Sequence, residues 1–463
     1  MPTPARRKIT LLLWTGLLTA LLAPTSAAEN PGSKSGLEVI HPILPVVVST
    51  VSPSITERIN KQIPPNKDYV VTDATLEKSA VGSGYSVLPL PAFVYNRNEG
   101  AWVGGLMPVF RANTKGQVED IFAPLYLHNN LVGETFTLNY FGYRSATKQY
   151  HVIVSHATKV ERTIDLSYKD IGYDDGRYIV SLQANSGKSA FNRFYGFGNQ
   201  SLEQSESNYA MGDANLVVSG GINISETLSI VGSERLRRVS IGNGVVSSLP
   251  QTKAAFPTAP GIDGARIWGQ GATVSYDTRD NPLTTLTGTY AALTGEFDQN
   301  YKADNRDQWW RTTGEVRNYL PHDGDRAVFV SRAMFDFLPI DSKGLVPQGV
   351  PFYERPTLGG ENTLRGFGDG RFVSSFALLF NVEERFAVMQ RSVLGNVLEL
   401  NIAPFLDFGR VGRTLGSNGV VDNMQFNPGI GFRLLARPNI ASRLDVAYGH
   451  DGANVYVGLD YPF

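Results

Sequence analysis

The sequence predicts an all-β fold: a transmembrane antiparallel β-barrel with a long loop folded into its lumen. Three observations predict it. From Val87 to Phe463 apolar and polar residues alternate with period two, the mark of strands whose two faces meet different surroundings. Many of these runs reach the about 9 to 11 residues that a tilted strand needs to cross the hydrocarbon layer. The chain opens on an export signal and afterwards has no continuous apolar stretch of the ~20 residues a spanning helix requires. An exported membrane protein with this sequence therefore has to cross as a barrel.

The signal is Arg6-Arg7-Lys8, the apolar run Ile9 to Leu22, and the small residues Thr25-Ser26-Ala27-Ala28, the three parts of a secretory leader. Residues 1–28 are read as a signal peptide removed on export. Residues 29–86 form a periplasmic leader with Pro-Gly and Pro-Pro punctuation and the patch Pro45-Val46-Val47-Val48. It is long enough for one short helix near Ile55 to Gln62 and otherwise extended. Residues 87–463 are the barrel.

Within the barrel, Phe136, Leu138 and Tyr140 share one face, as do Ile164, Leu166 and Tyr168 opposite Asp165, Ser167 and Lys169. Near residue 290 the apolar face is Thr289, Ala291, Leu293 and Phe297, with Tyr290, Glu296 and Asp298 opposite. The C-terminal third separates most cleanly. Leu398, Leu400, Ile402, Pro404, Leu406 and Phe408 oppose Glu399, Asn401, Phe405 and Asp407, and the last strand sets Val455, Val457, Leu459, Tyr461 and Phe463 against Asn454, Tyr456 and Asp460. These runs make roughly 16 to 18 strands, and even parity leaves 16 or 18. The first strand is expected near Gly100 to Phe110. Long connectors at Ser240 to Arg266 and Leu338 to Gly370 alternate with short turns such as Pro321 to Asp325 and His450-Asp451-Gly452, the asymmetry of a barrel with one rim outside and one in the periplasm.

One stretch is neither strand nor tight turn: Leu358-Gly359-Gly360-Glu361-Asn362-Thr363-Leu364-Arg365-Gly366-Phe367-Gly368-Asp369-Gly370-Arg371. A long ordered loop between regular strands usually carries function. Parity puts Asp407 on the polar, lumenal face, where a carboxylate needs a partner and a guanidinium can meet it with two hydrogen bonds.

At these residues the chain resembles the BamA/TamA outer-membrane proteins, the bacterial surface antigen superfamily. Leu364-Arg365-Gly366-Phe367 behind Gly359-Gly360 is similar to that family's lumen-loop signature, and Phe405-Leu406-Asp407-Phe408-Gly409 to its aromatic-Asp-Gly strand motif. Tyr276-Asp277-Thr278-Arg279-Asp280-Asn281-Pro282 with Gly288 resembles a third motif, without the proline usual before that glycine. Gly429, Gly431, Arg433, Leu444-Asp445 and terminal Phe463 resemble its closing hairpin, and Asn381, Glu383 and Arg385 a recurring strand.

The resemblance implies 16 strands, a loop after the eleventh that enters the lumen, and pairing of Arg365 with Asp407. The other lumenal partners are then Glu383, Arg385, Glu399 and Arg433. Tyr461 and Phe463 would serve as the C-terminal signal read by the barrel assembly machinery. Docking (POTRA) domains are expected to be absent, since residues 29–86 show no βααββ-like pattern. Phe194-Tyr195-Gly196-Phe197-Gly198-Asn199 is similar to members that lack them.

The rest of the chemistry is sparse. With 42 Lys+Arg against 43 Asp+Glu, net charge gives no reason to expect nucleic acid as a partner. With no cysteine there are no disulfides or thiolate metal sites. There is no Gly-x-Ser-x-Gly elbow, and neither a metal nor a cofactor is expected. Asp174-Asp175-Gly176 and His322-Asp323-Gly324-Asp325 read as tight turns. Arg332, Asp336, Glu383, Arg385, Glu399, Asp407, Arg433, Arg443 and Asp445 give the lumenal face both signs of charge. Rings of one sign are what a selective pore would carry, so a plugged barrel, mostly closed at rest, is expected. The reading is an integral protein of the Gram-negative outer membrane, contacting its lipids and acting in membrane biogenesis or protein translocation on a protein client through a weak seam between first and last strands. The alternatives are a passive channel or surface-exposed structural barrel, and a lipid hydrolase built on His151 and Ser155.

Overall fold

The computed structural model describes residues 84–463 apart from 88–89, 113–117, 145–147, 281–283, 303–306, 324–325, 340–348, 394–395, 414–422, 437–439 and 459–462. The expected signal peptide and all but the end of the leader lie outside the described residues. Twenty strand segments form one antiparallel sheet. Strand β1 comprises Gly84–Val87 and Leu90–Asn96, and β2 comprises Gly100–Leu106 and Val109–Ala112. The halves of β1 pair with the halves of β2, and both halves of β2 pair with β3, Val118–Asn129.

An up-and-down meander follows. Its strands are β4 (Gly133–Tyr143), β5 (Lys148–Ala157), β6 (Arg162–Tyr173), β7 (Tyr178–Phe194), β8 (Ser207–Asn223), β9 (Leu228–Asn243), β10 (Ala265–Asp277), β11 (Gly288–Asn300), β12 (Gln308–His322) and β13 (Ala327–Phe337). After the loop come β14 (Phe376–Val393), β15 (Asn396–Gly412), β16 (Gln425–Ala436), β17 (Ile440–Gly449) and β18 (Gly452–Gly458). Thirteen strands, β1 to β13, precede the long loop and five follow, close to the eleven and five that the resemblance implies. The hairpin β1–β2 makes the sheet eighteen strands wide among the described residues. It begins one strand before the first strand expected from the sequence, near Gly100 to Phe110, because the run at 84–96 is interrupted and too short to read as a spanning strand.

No ladder joins β18 to β1 among the described residues, although the two lie side by side. Their turns are joined by Arg97, whose guanidinium donates to the Asp451 carbonyl at 2.8 Å.

Alternation decides which side chains face outward. On β4, Phe136 and Leu138 are exposed while Thr135, Thr137 and Asn139 are buried; on β15, Leu406 faces out while Phe405 and Asp407 are buried. Outward apolar side chains have no water to avoid in a bilayer, so the belt is the barrel's lipid face. Alternate connections are long at one rim, 195–206, 244–264 and 338–375, and short at the other, such as 174–177 and 224–227. Asp174, Asp175 and Gly176 take φ of 55°, 54° and 85°, the left-handed geometry of a tight hairpin. The His450-Gly452 turn, grouped from the sequence with the short-turn rim, belongs to the other. It follows an odd-numbered strand, and Arg371 of the long loop pairs with Asp451 at 2.5 Å.

The 195–206 connection folds across the mouth. Gly198 N–H donates to the Val373 carbonyl at 2.8 Å, Val411 N–H donates to Asn199 Oδ1 at 3.1 Å, and Gln425 Nε2 donates to the Asn199 carbonyl at 3.1 Å. Substituting Leu293, in the middle of the outward belt, by Arg is expected to lower barrel stability by ~2–4 kcal/mol. The urea midpoint of unfolding from vesicles checks this, with Thr294→Ser, one residue along and facing inward, leaving that midpoint unchanged.

Candidate functional site

The long loop reaches the wall at Arg365, whose side chain is 0% exposed. Its Nε and Nη2 donate to the two oxygens of Asp407 at 3.0 and 2.8 Å, and its backbone N–H adds a third bond to the same carboxylate at 3.1 Å. Nη1 meets Glu383 at 2.9 Å. The guanidinium carbon lies 3.3 Å from the centroid of the Phe405 ring, so the cation is stacked as well as paired.

Strand register brings these groups together. Asn381, Asp407 and Asn427 stand directly opposite one another on β14, β15 and β16, and both asparagine amides donate to Asp407, at 2.7 and 2.9 Å. Glu383 also accepts from Arg385 Nε at 2.9 Å and from Arg433 Nη2 at 3.2 Å. Asp445 joins Arg433 at 2.7 Å and Arg443 at 3.2 Å, and Arg443 returns to the loop at Glu361, 2.9 Å away. Four guanidiniums, of Arg365, Arg385, Arg433 and Arg443, face four carboxylates, of Glu361, Glu383, Asp407 and Asp445. That balance is required where ions lie out of water.

Glycines let the loop come this close. Gly359 and Gly360 take φ of 113° and 100°, a conformation other residues avoid. A Cβ on Gly366 would lie 2.8 Å from the Gly449 backbone nitrogen, and one on Gly431 would lie 2.4 Å from Arg433 Nη1. Asn454 Nδ2 donates to the Gly366 carbonyl and the Tyr456 hydroxyl to the Phe367 carbonyl, each at 2.7 Å. Leu364 and Phe367 pack with Leu358, Phe372, Leu379 and Val411.

A second attachment was not legible in the sequence. Glu354, earlier in the loop, accepts from Arg235 at 3.2 Å and from Arg237 at 2.5 Å. Asp298 and Asp213 complete those arginines' pairing. Phe352 packs against Phe194 and Tyr209, at 4.6 and 5.3 Å between centroids. The loop thus bridges β9 and β15, six strands and roughly 29 Å apart along the sheet at ~4.8 Å per strand. Burial would raise the Glu354 pKa, but Arg235 and Arg237 outweigh it and hold it below the ordinary value. Burial would likewise lower the Arg365 pKa, and Asp407 and Asp445 raise it instead. Both loop groups are thereby held charged. The available sequence signal was the inward parity of Arg235 and Arg237 on an otherwise two-faced strand.

One expected position falls elsewhere. Glu399 stays on the inward face of β15, two residues from Asn401, which stands opposite Arg433. Phe463, read as outward, is instead inside: it packs with Tyr319, Val328 and Val330, and the guanidinium carbons of Arg332 and Arg365 lie 5.5 and 5.6 Å from its ring centroid. An aromatic ring with apolar neighbours and two cations nearby is well placed there. Tyr461 lies outside the described residues.

His151 pairs with Asp165 at 2.6 Å, and the Ser155 hydroxyl bonds that of Thr137 at 2.8 Å. Four residues apart on one strand, His151 and Ser155 are separated by about 13 Å, too far for a base to activate a nucleophile. Among the described residues no group of three His, Asp or Glu side chains is placed to hold a metal ion.

A model of the Omp85 superfamily domain matches residues 147–454. The structure resembles that of BamA from Haemophilus ducreyi lacking POTRA domains 1–3, with a TM-score of 0.52 and 12% identity over 89% of this chain and 82% of that one. CdiB from Acinetobacter baumannii matches at a TM-score of 0.40 and 13% identity over 81% of this chain and 60% of that one. CdiB from Escherichia coli matches at 0.44 and 11%, over 81% and 63%. At these identities the likeness to BamA is one of fold. No curated protein matches the chain.

Removing the Arg365 side chain leaves Asp407 buried with only the amides of Asn381 and Asn427, and takes from Glu383 one of its three guanidiniums. Arg365→Ala is expected to cost ~3–5 kcal/mol, seen as a lower temperature for loss of the compact, detergent-resistant band on gels. Arg365→Lys is expected to recover less than half of it, since an ammonium cannot reproduce the two-pronged contact.

Proposed function

Since the chain belongs to the Omp85 superfamily, whose domain model spans residues 147–454, we propose that it works in outer-membrane biogenesis, helping other proteins insert into that membrane or pass across it. The observation that carries the reading is the place of the clamp. Through Glu383, Asp407 and Asp445, Arg365 joins β14, β15 and β17 beside the seam where, among the described residues, β18 and β1 lie together without a ladder. A loop that fixes the strands next to an unpaired edge can hold that edge in shape, and an unpaired edge is a template for an incoming strand. On this reading the Arg365 cluster is a structural support for the seam. The partners are outer-membrane lipids, a client protein, and the barrel assembly machinery that receives this chain itself through its C-terminal strand. The mature protein is integral to the outer membrane of a Gram-negative cell after loss of residues 1–28.

The second reading is a passive conduit. The loop spanning the lumen between Glu354 and Arg365 speaks for a barrel closed at rest, with both signs of charge along its wall.

Depletion of the protein followed by a census of other outer-membrane proteins tests the main reading: selective loss of barrel proteins or of exported clients is expected, and an unchanged census overturns it. Single-channel recordings on the reconstituted chain test closure. Rare, small openings are expected, becoming larger and longer in Arg365→Ala; a steady large conductance indifferent to that substitution would rule out the plug.

A further inference from the structure

Two arginines on the outer face have no role in the lumen. Arg238 on β9 and Arg266 on β10 stand directly opposite each other, both exposed. Their strand neighbours Arg237, Val239, Ala265 and Ile267 are buried on the inner side. Cross-strand partners have Cβ atoms ~4.5–5.5 Å apart, and like charges in that position repel. On β8 the residue opposite Arg238 is Ala214. Among the described residues, the outward carboxylate Glu234 of β9 accepts from Trp268 Nε1 at 2.9 Å and Gln270 Nε2 at 2.6 Å, and Asp263 just before β10 pairs with Lys253 at 2.5 Å. Among the described residues, neither arginine has an ion pair.

Their height on the barrel supplies the rest. Below them, toward the short-turn rim, lies the lipid belt of Ile230, Val274, Val218 and Leu293. Between belt and arginines runs a row in continuous register, Glu234, Gln270, Phe297 and Trp310, with the Phe297 and Trp310 rings 5.1 Å apart. Trp268 stands one step higher. Indole and phenyl rings mixed with polar groups mark the level of lipid headgroups. The arginine pair sits just beyond that level, at the long-loop rim.

We propose that Arg238 and Arg266 form a clamp for the phosphate of an outer-leaflet lipid. A phosphate between two guanidiniums turns a repulsive pair into an attractive one through charge-assisted hydrogen bonds, and the rings below receive the start of its acyl chains. The inference rests on the barrel lying in the outer membrane with its long loops outward, and on no client.

The full-length protein, reconstituted in phosphatidylcholine vesicles doped with radiolabelled lipid A, is extracted in mild detergent and its retained label counted. Arg238→Gln and Arg266→Gln are each expected to lower retention about fivefold, and Arg326→Gln at the opposite rim to leave it unchanged. Arg238→Glu separates folding from binding: it places an acid opposite Arg266, so the lipid-free barrel should become more heat-resistant while retention is lost. Equal retention by the Arg238→Gln/Arg266→Gln double variant overturns the clamp. So does displacement of the label by inorganic phosphate at equal concentration, which would make the pair a site for free phosphate. Failure of the wild-type chain to enter vesicles at all would overturn the membrane placement instead.

Discussion

A buried guanidinium that has lost its water is the constraint on which the interior of this barrel depends. Arg365 is fully enclosed, and its cost of desolvation is offset only because Asp407 meets it in two places, Glu383 in a third, and the Phe405 ring covers its face. Each carboxylate then requires partners of its own, which draws in Asn381, Asn427, Arg385 and Arg433. The result is a charge-balanced network of side chains from four adjacent strands. Its members cannot be exchanged one at a time, since removing any of them strands a charge in a site that water does not reach.

The same constraint explains the glycines. A network this dense needs the loop backbone to lie almost against the wall, and Gly366 facing Gly449 is where backbone meets backbone. Gly431 clears space for the Arg433 and Asp445 head groups. Glu354 repeats the arrangement six strands away with the polarity reversed, an acid from the loop held by two arginines of β9. The loop is therefore fastened at two places by ion pairs of opposite sense, and the aromatic packing around Phe352 keeps its first arm in the lumen.

Outside the lumen the wall follows simpler rules. Lipid takes up the apolar face, so period-two alternation is the only requirement over most of the surface, and deviations from it stand out. Arg238 and Arg266 are such a deviation, like charges in register at the level where the apolar belt ends. The hairpin β1–β2 is another, adding two strands beside the seam to the sixteen that the resemblance implies.

How much of this was legible depended on how local the signal was. Strand faces, the order of the elements and the candidate loop are properties of short stretches of chain. Alternation around Leu293 and Leu406 and the Gly359-Gly360 approach to Arg365 declare them without reference to anything distant. The inward side of Asp407 was legible for the same reason, since parity along one strand is set by the pleat. The meeting of Glu354 with Arg235 and Arg237, the inward turn of Phe463, the rim to which His450 belongs, and the register that sets Arg238 against Arg266 depend on residues far apart in sequence. Strand spacing and ladder register decide those distances, and no single segment encodes them. The sequence by itself determined a two-faced antiparallel wall and an arginine bound for its interior, because both follow from local period and residue chemistry. Only the tertiary structure decided how Asp407, Glu383 and Asp445 divide that arginine and where else the loop is held, because those choices depend on how the strands of the sheet lie against one another.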